Sequence, residues 1–166
     1  MYVIITSGSE KMKKTKLDNI GNILRLFMQM FFVFGILVLI FLYFITDYFG
    51  IHFDCFTLMV YPCGILFLYL VYEFINMFKS LEENKPFSMD NVKRLRRSMY
   101  ITFSISILVI IALLIASFAY SYYSAQLKVA LLFISVLFFG VGIAFYILSE
   151  LFRQATLYKE ENDLTI

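Results

Sequence analysis

Tryptophan is absent from this 166-residue chain, histidine occurs once, and proline and cysteine occur twice each. Charge is thin as well: Asp, Glu, Lys and Arg make up 16% of residues, against about 25% in ordinary soluble domains. Each shortage excludes something. Closed zinc sites generally need four ligands at recognisable spacing, and His52, Asp54 and Cys55, with Asp47 upstream, do not supply such a set. No G-x-S-x-G, H-E-x-x-H or glycine-rich phosphate loop occurs, so no catalytic constellation is visible and no enzyme is expected. No metal or cofactor is expected either.

What is present is apolar. Hydrophobic residues make up 61% of the chain, and its mean hydropathy is +0.83. They gather into four runs: Leu24 to Ile45, Phe56 to Phe78, Tyr100 to Tyr120 and Leu127 to Leu148. Each is roughly 21–23 residues, or about 31–35 Å of helix, matching a hydrocarbon core near 30 Å. β-Branched and aromatic residues are frequent in the runs, yet lipid dictates helix, because a lone strand would leave its backbone unpaired. Little chain remains for a separate soluble core, which usually needs at least ~50 residues. Tyr2 to Ile5 is too short for the apolar part of a cleavable signal, so the first run is expected to act as an uncleaved anchor. The expected fold is an all-α membrane domain over residues 1–166.

Charge sets the expected orientation. Thirteen of the fourteen Lys and Arg residues lie on one side of the runs. Lys11, Lys13, Lys14, Lys16 and Arg25 lie before or at the start of the first run. Lys79, Lys85, Lys93, Arg94, Arg96 and Arg97 lie between the second and third, and Arg153 and Lys159 follow the fourth; only Lys128 lies opposite. Short cytoplasmic loops collect such residues. Residues 1–23, 79–99 and 149–166 are therefore expected in the cytoplasm of a multi-pass cell-membrane protein. The spans would form two antiparallel hairpins with both termini inside. Tyr43, Tyr48, Tyr120, Tyr122 and Tyr123 would mark the outer interface. The outer connections are too short to bind a folded external protein. The basic face suits the anionic lipid of the bilayer or an acidic protein surface. Direct nucleic-acid binding is not expected, because Asp18, Glu82, Glu83, Asp90, Glu160, Glu161 and Asp163 dilute the field.

The central parts of the spans lack Asp, Glu, Lys, Arg and His, which argues against an ion or proton path. Glu73 lies nearest, about five residues from the inner end of the second span. It reads as a structural or snorkelling acid at the inner boundary, with Arg25 or Arg153 at similar depth as its partner; a functional carboxylate is the rival. A small multidrug exporter would need a buried acid in its first span, and none is there. Cys55 and Cys63 are eight apart, so about 12 Å along a regular helix, too far for a disulfide unless the chain bends at Pro62. They read as free apolar cysteines, not as the C-x-x-C pair of a thiol oxidoreductase. Gly140 and Ala144, reinforced by Gly142, form a small pair in the fourth span, and Ala112, Ala116, Ser117 and Ala119 thin one side of the third, which makes them candidates for a contact between these spans. A homodimer interface is the alternative.

The inner connection carries more information. Asn84-Lys85-Pro86 breaks the chain, Ser88 suits a helix N-cap, and Asp90 complements the dipole of the first turn. Phe87 and Val92 have the spacing of a hydrophobic staple. Val92, Leu95 and Met99 form an apolar stripe among Lys93, Arg94, Arg96 and Arg97. Such a basic turn would lie in the headgroup layer, as a topology anchor or as a docking surface. After the fourth span, Leu151, Ala155 and Tyr158 continue the helical period, with Glu150 and Arg153 one turn apart. The last residues are expected to fray. Their acidic stretch and apolar tip, Leu164 and Ile166, also suit a short peptide ligand.

Two segments together carry a resemblance. The stretch from Asn84-Lys-Pro-Phe-Ser to Lys93-Arg-Leu-Arg-Arg97, and the ending Glu161-Asn-Asp-Leu-Thr-Ile166, resemble the inner loop and tail of the domain of unknown function 2975 family. Members of that family are small four-span bacterial membrane proteins, often encoded beside a small helix-turn-helix regulator. The resemblance implies partnership with a cytoplasmic helix-turn-helix transcription regulator. The binding residues would be Pro86, Phe87, Arg94, Arg96, Arg97, Asp163, Leu164, Thr165 and Ile166, and the mechanism sequestration from the operator. The competing expectations are a small exporter, an immunity protein against membrane-active peptides, and an accessory subunit of a larger membrane complex.

Overall fold

The computed structural model describes residues 2–48, 55–83, 87–118 and 125–163. They form four helices: α1 (Tyr2–Tyr48), α2 (Cys55–Glu82), α3 (Met89–Phe118) and α4 (Ala125–Asp163). All four contain stretches long and apolar enough to cross a membrane. Their lengths depart from the bare spans. α1 has 47 residues and α4 has 39, so about 70 and 58 Å of helix against a core near 30 Å. Both therefore project well beyond any bilayer. α2 runs through Pro62 as one helix and contains both cysteines, and Cys63 is free. His52, Asp54, Tyr120, Tyr122 and Tyr123 lie outside the described residues.

Lipid removes most of the hydrophobic contrast between helices, so close packing and hydrogen bonds have to hold them together. Along α1 and α2 the contacts step in opposite directions. Gly35 lies under Leu68 and Gly64 under Leu39, so closely that an added Cβ would meet those side chains at 2.7 and 2.5 Å. At the basic end of the same pair, Arg25 Nη1 reaches Glu82 Oε2 at 2.7 Å. α2 packs in turn on α3, and α3 along α4, the most extensive of the three contacts. The buried core lies mainly on α3, through Leu95, Met99, Ile105 and Val109, with Leu70 from α2 and Leu131 and Phe145 from α4. No residue of α1 between Leu24 and Ile45 is buried.

A row of small hydroxyls lines the α3–α4 contact. Thr102 Oγ1 donates to its own helix at Ser98 O (3.0 Å) and Met99 O (2.9 Å), while Ser106 Oγ crosses to Ser135 O at 2.9 Å. Gly142 is the close-approach glycine. A Cβ there would lie 2.6 Å from Phe103 Cε1 and 3.0 Å from Thr102 Oγ1. The small pair expected to make this contact does not make it: Gly140 has no atom within 4 Å of an added Cβ, and Ala144 is exposed. Two residues along a helix is about 200° of rotation, so Gly140 and Gly142 face opposite ways.

Candidate functional site

The functional chemistry of the described residues gathers where the C-terminal half of α2, the start of α3 and the far end of α4 meet. Ser88 caps α3 as its sequence suggests. Its carbonyl accepts from Asn91 N (3.0 Å) and Val92 N (3.2 Å), and its hydroxyl accepts weakly from Asn91 N at 3.4 Å. From there α3 runs unbroken into the stretch that is apolar enough to cross a membrane. Val92, Leu95 and Met99 are 5%, 3% and 8% exposed, so the apolar stripe is core rather than a lipid-facing anchor. One continuous helix carries that face inward against its neighbours.

Glu73 is 1% exposed, deeper than a snorkelling boundary acid. Its Oε1 accepts from Arg97 Nη1 at 2.9 Å, and its Oε2 lies 3.8 Å from Arg94 Nη1. The partners expected from depth are engaged elsewhere: Arg25 with Glu82, and Arg153 with Glu150 at 2.6 Å. Helix face decided this. Glu73 shares a face of α2 with the buried Leu70 and the partly buried Met77, which looks toward α3. The Tyr69 phenol and the Glu73 carboxylate beside the Arg97 guanidinium hold its pKa above the ordinary arginine value. Glu73 Oε2, Arg94 Nε and Ser98 Oγ are buried without a hydrogen bond among the described residues, which makes this a tight, incompletely satisfied polar pocket. Ser98, Thr102 and Ser106, spaced by four, are polar core positions that the sequence reading passed over, although their helical period was visible.

The candidate binding residues divide into two groups. Arg94 and Arg97 are committed to Glu73, whereas Arg96 is exposed on another face of α3, and the exposed Lys93 lies 3.8 Å from Asp90. Phe87 packs on Phe152 of α4, ring centroids 5.5 Å apart, and remains 45% exposed. α4 stays helical to Asp163, further than the fraying tail expected, and Thr156 is buried at 3%. Arg153 bonds to Glu150 and holds that carboxyl below its ordinary range. Pro86, Leu164, Thr165 and Ile166 lie outside the described residues.

A second feature lies toward the other end of the spans. An apolar cleft of about 390 Å³ draws on all four helices, including Leu39, Cys63, Val109 and Leu131, with no charged residue in its lining. This uncharged lining, among the described residues, suits an apolar molecule rather than an ion.

No curated protein and no solved structure matches the chain. A family model described as "Protein of unknown function (DUF2975)" matches residues 30–166, which includes the inner connection, the spans from Met30 onward and the tail. The chain thus belongs to the DUF2975 family.

Proposed function

We propose that this protein is a non-enzymatic, membrane-bound partner of a cytoplasmic helix-turn-helix transcription regulator, which it holds away from its operator. In this reading the helices form two hairpins with both termini in the cytoplasm, following the Lys/Arg partition. The observation that carries it is the bracing of the two candidate segments on one scaffold. The start of α3 and the extension of α4 beyond Leu148 are packed together through Phe87 and Phe152. That arrangement holds Phe87, Lys93 and Arg96 at one end of the scaffold, from which α4 continues to the exposed Glu160 and Glu161. A preorganised surface of mixed charge loses less entropy on binding than a free tail.

The test leaves Glu73 and its arginines alone. Lys93→Glu with Arg96→Glu, and separately deletion of residues 162–166, should release the regulator and change transcription of the operon it controls, at normal membrane abundance. Topology is checked in parallel, because the reversal removes inner-loop charge. The apolar cleft favours a second reading, a small exporter or an immunity protein working through the spans. Retention of full function by both variants, with loss on filling the cleft by Val109→Phe, would replace the first reading with the second.

A further inference from the structure

The face of α4 turned away from α3 is unpartnered among the described residues, and its pattern is regular. Starting at Ala130, steps of three and four alternate onto Phe133, Leu137, Gly140, Ala144 and Ile147. Without a break in the alternation they continue onto Leu151, Gln154 and Tyr158, and every one of these positions is exposed. A 3–4 alternation is the seam of a left-handed helix pair, and α4 supplies four heptads of it.

Lipid covers only part of this seam. Tyr158 lies about 15 Å of helix beyond Leu148, past the headgroup layer of a membrane that ends there. Leu151 and Tyr158 are nevertheless 55% and 67% exposed, as are Phe133 at 67%, Leu137 at 50% and Ile147 at 53%. At roughly 150–250 Å² per large side chain, these five leave on the order of 500 Å² open on each copy. Covering all of it on both copies would reach the ~1,000 Å² that marks a specific interface.

We infer that the seam is covered by α4 of a second copy of this chain, in a parallel twofold pair. Any occupant must be a helix that crosses the membrane and continues beyond it on the same side, as α4 itself does. Copies inserted with one topology bring their α4 helices together in parallel and in register. The same residue then faces itself across the axis, so a charge on the seam would repel its own copy. No seam position from Ala130 to Tyr158 is charged; Glu150 and Arg153 lie off it and neutralise each other at 2.6 Å. Gly140 and Ala144 sit mid-seam, where small residues let two backbones approach. Gln154 provides a single polar layer, a common device for fixing the register of a parallel pair. The inference is independent of any regulator.

The test uses the full chain in native membranes, with Cys55→Ser and Cys63→Ala removing the endogenous thiols. Single cysteines at Leu151, Gln154 and Tyr158 should oxidise to a covalent species of twice the chain mass. Cysteines at Tyr146 and Glu160, exposed on other faces, should not. Gly140→Leu meets no atom within 4 Å of its Cβ, so the single chain accommodates it while the close approach is blocked. It should lower the yield at position 151 about tenfold with membrane abundance unchanged. Equal yields on and off the seam, an adduct with the mass of a different protein, or a yield indifferent to Gly140→Leu would overturn the pairing.

Discussion

Replacing Glu73 by Ala removes the only carboxylate among the described residues that faces Arg94 and Arg97 at salt-bridge distance, and the structure sets what that should cost. Arg97 is 53% exposed in its side chain and can turn its guanidinium to water, whereas Arg94 is only 26% exposed with its Nε buried. The loss therefore falls between that of an exposed pair, about 0–1 kcal/mol, and that of a fully buried one, about 3–5 kcal/mol. About 2–3 kcal/mol of destabilisation is expected, or roughly 5–10 °C in melting temperature for a chain of this size. Glu73→Gln keeps the volume and one acceptor for Arg97, so it should lose about half as much. Trp is absent, so the convenient reporter in detergent is a thiol-reactive dye that follows unmasking of the free Cys63 in a Cys55→Ser background. A double-mutant cycle with Arg97→Ala should give about 1–2 kcal/mol of coupling. Strict additivity would refute the structural role of the pair. Complete loss of the phenotype in Glu73→Gln at normal abundance would make the acid a carrier instead.

Three further outcomes are expected. Gly142→Leu should destabilise the α3–α4 contact by about 2–3 kcal/mol, because its Cβ alone meets Phe103 at 2.6 Å; Gly140→Leu should leave the single chain's melting temperature unchanged. Ser106→Ala removes the hydrogen bond to Ser135 O and should cost about 0.6–1.7 kcal/mol in the same assay. An impermeant maleimide applied to intact cells should label Cys55 and spare a cysteine placed at Asn84, and labelling at position 84 would reverse the orientation.

Hydropathy alone made the four spans legible, because an uncharged apolar run of this length has few alternatives to a membrane helix. The Ser88 cap was equally legible, being local chemistry. What the sequence left open was rotational. Arg25 and Arg153 looked like partners for Glu73 because depth was the only coordinate available, but the face of α2 that carries Leu70 and Met77 delivers Glu73 to α3. Gly140 and Gly142 posed the same problem, and only packing shows which of the two touches Phe103. The basic turn and the third span read as separate elements because composition changes sharply at Tyr100, yet backbone hydrogen bonding carries one helix from Met89 to Phe118. Of the candidate binding residues, the sequence could not separate Arg96, which is open, from Arg94 and Arg97, which are committed to Glu73.

The most direct test places a photoreactive residue at two positions in living cells. At Arg96 it projects from the basic start of α3, and at Phe67 it lines the apolar cleft. Irradiation should trap a helix-turn-helix regulator from position 96 and only lipid or nothing from position 67. The regulator adduct should disappear when residues 162–166 are deleted. A specific small molecule or peptide trapped at Phe67, with no protein trapped at Arg96, would contradict the regulatory account.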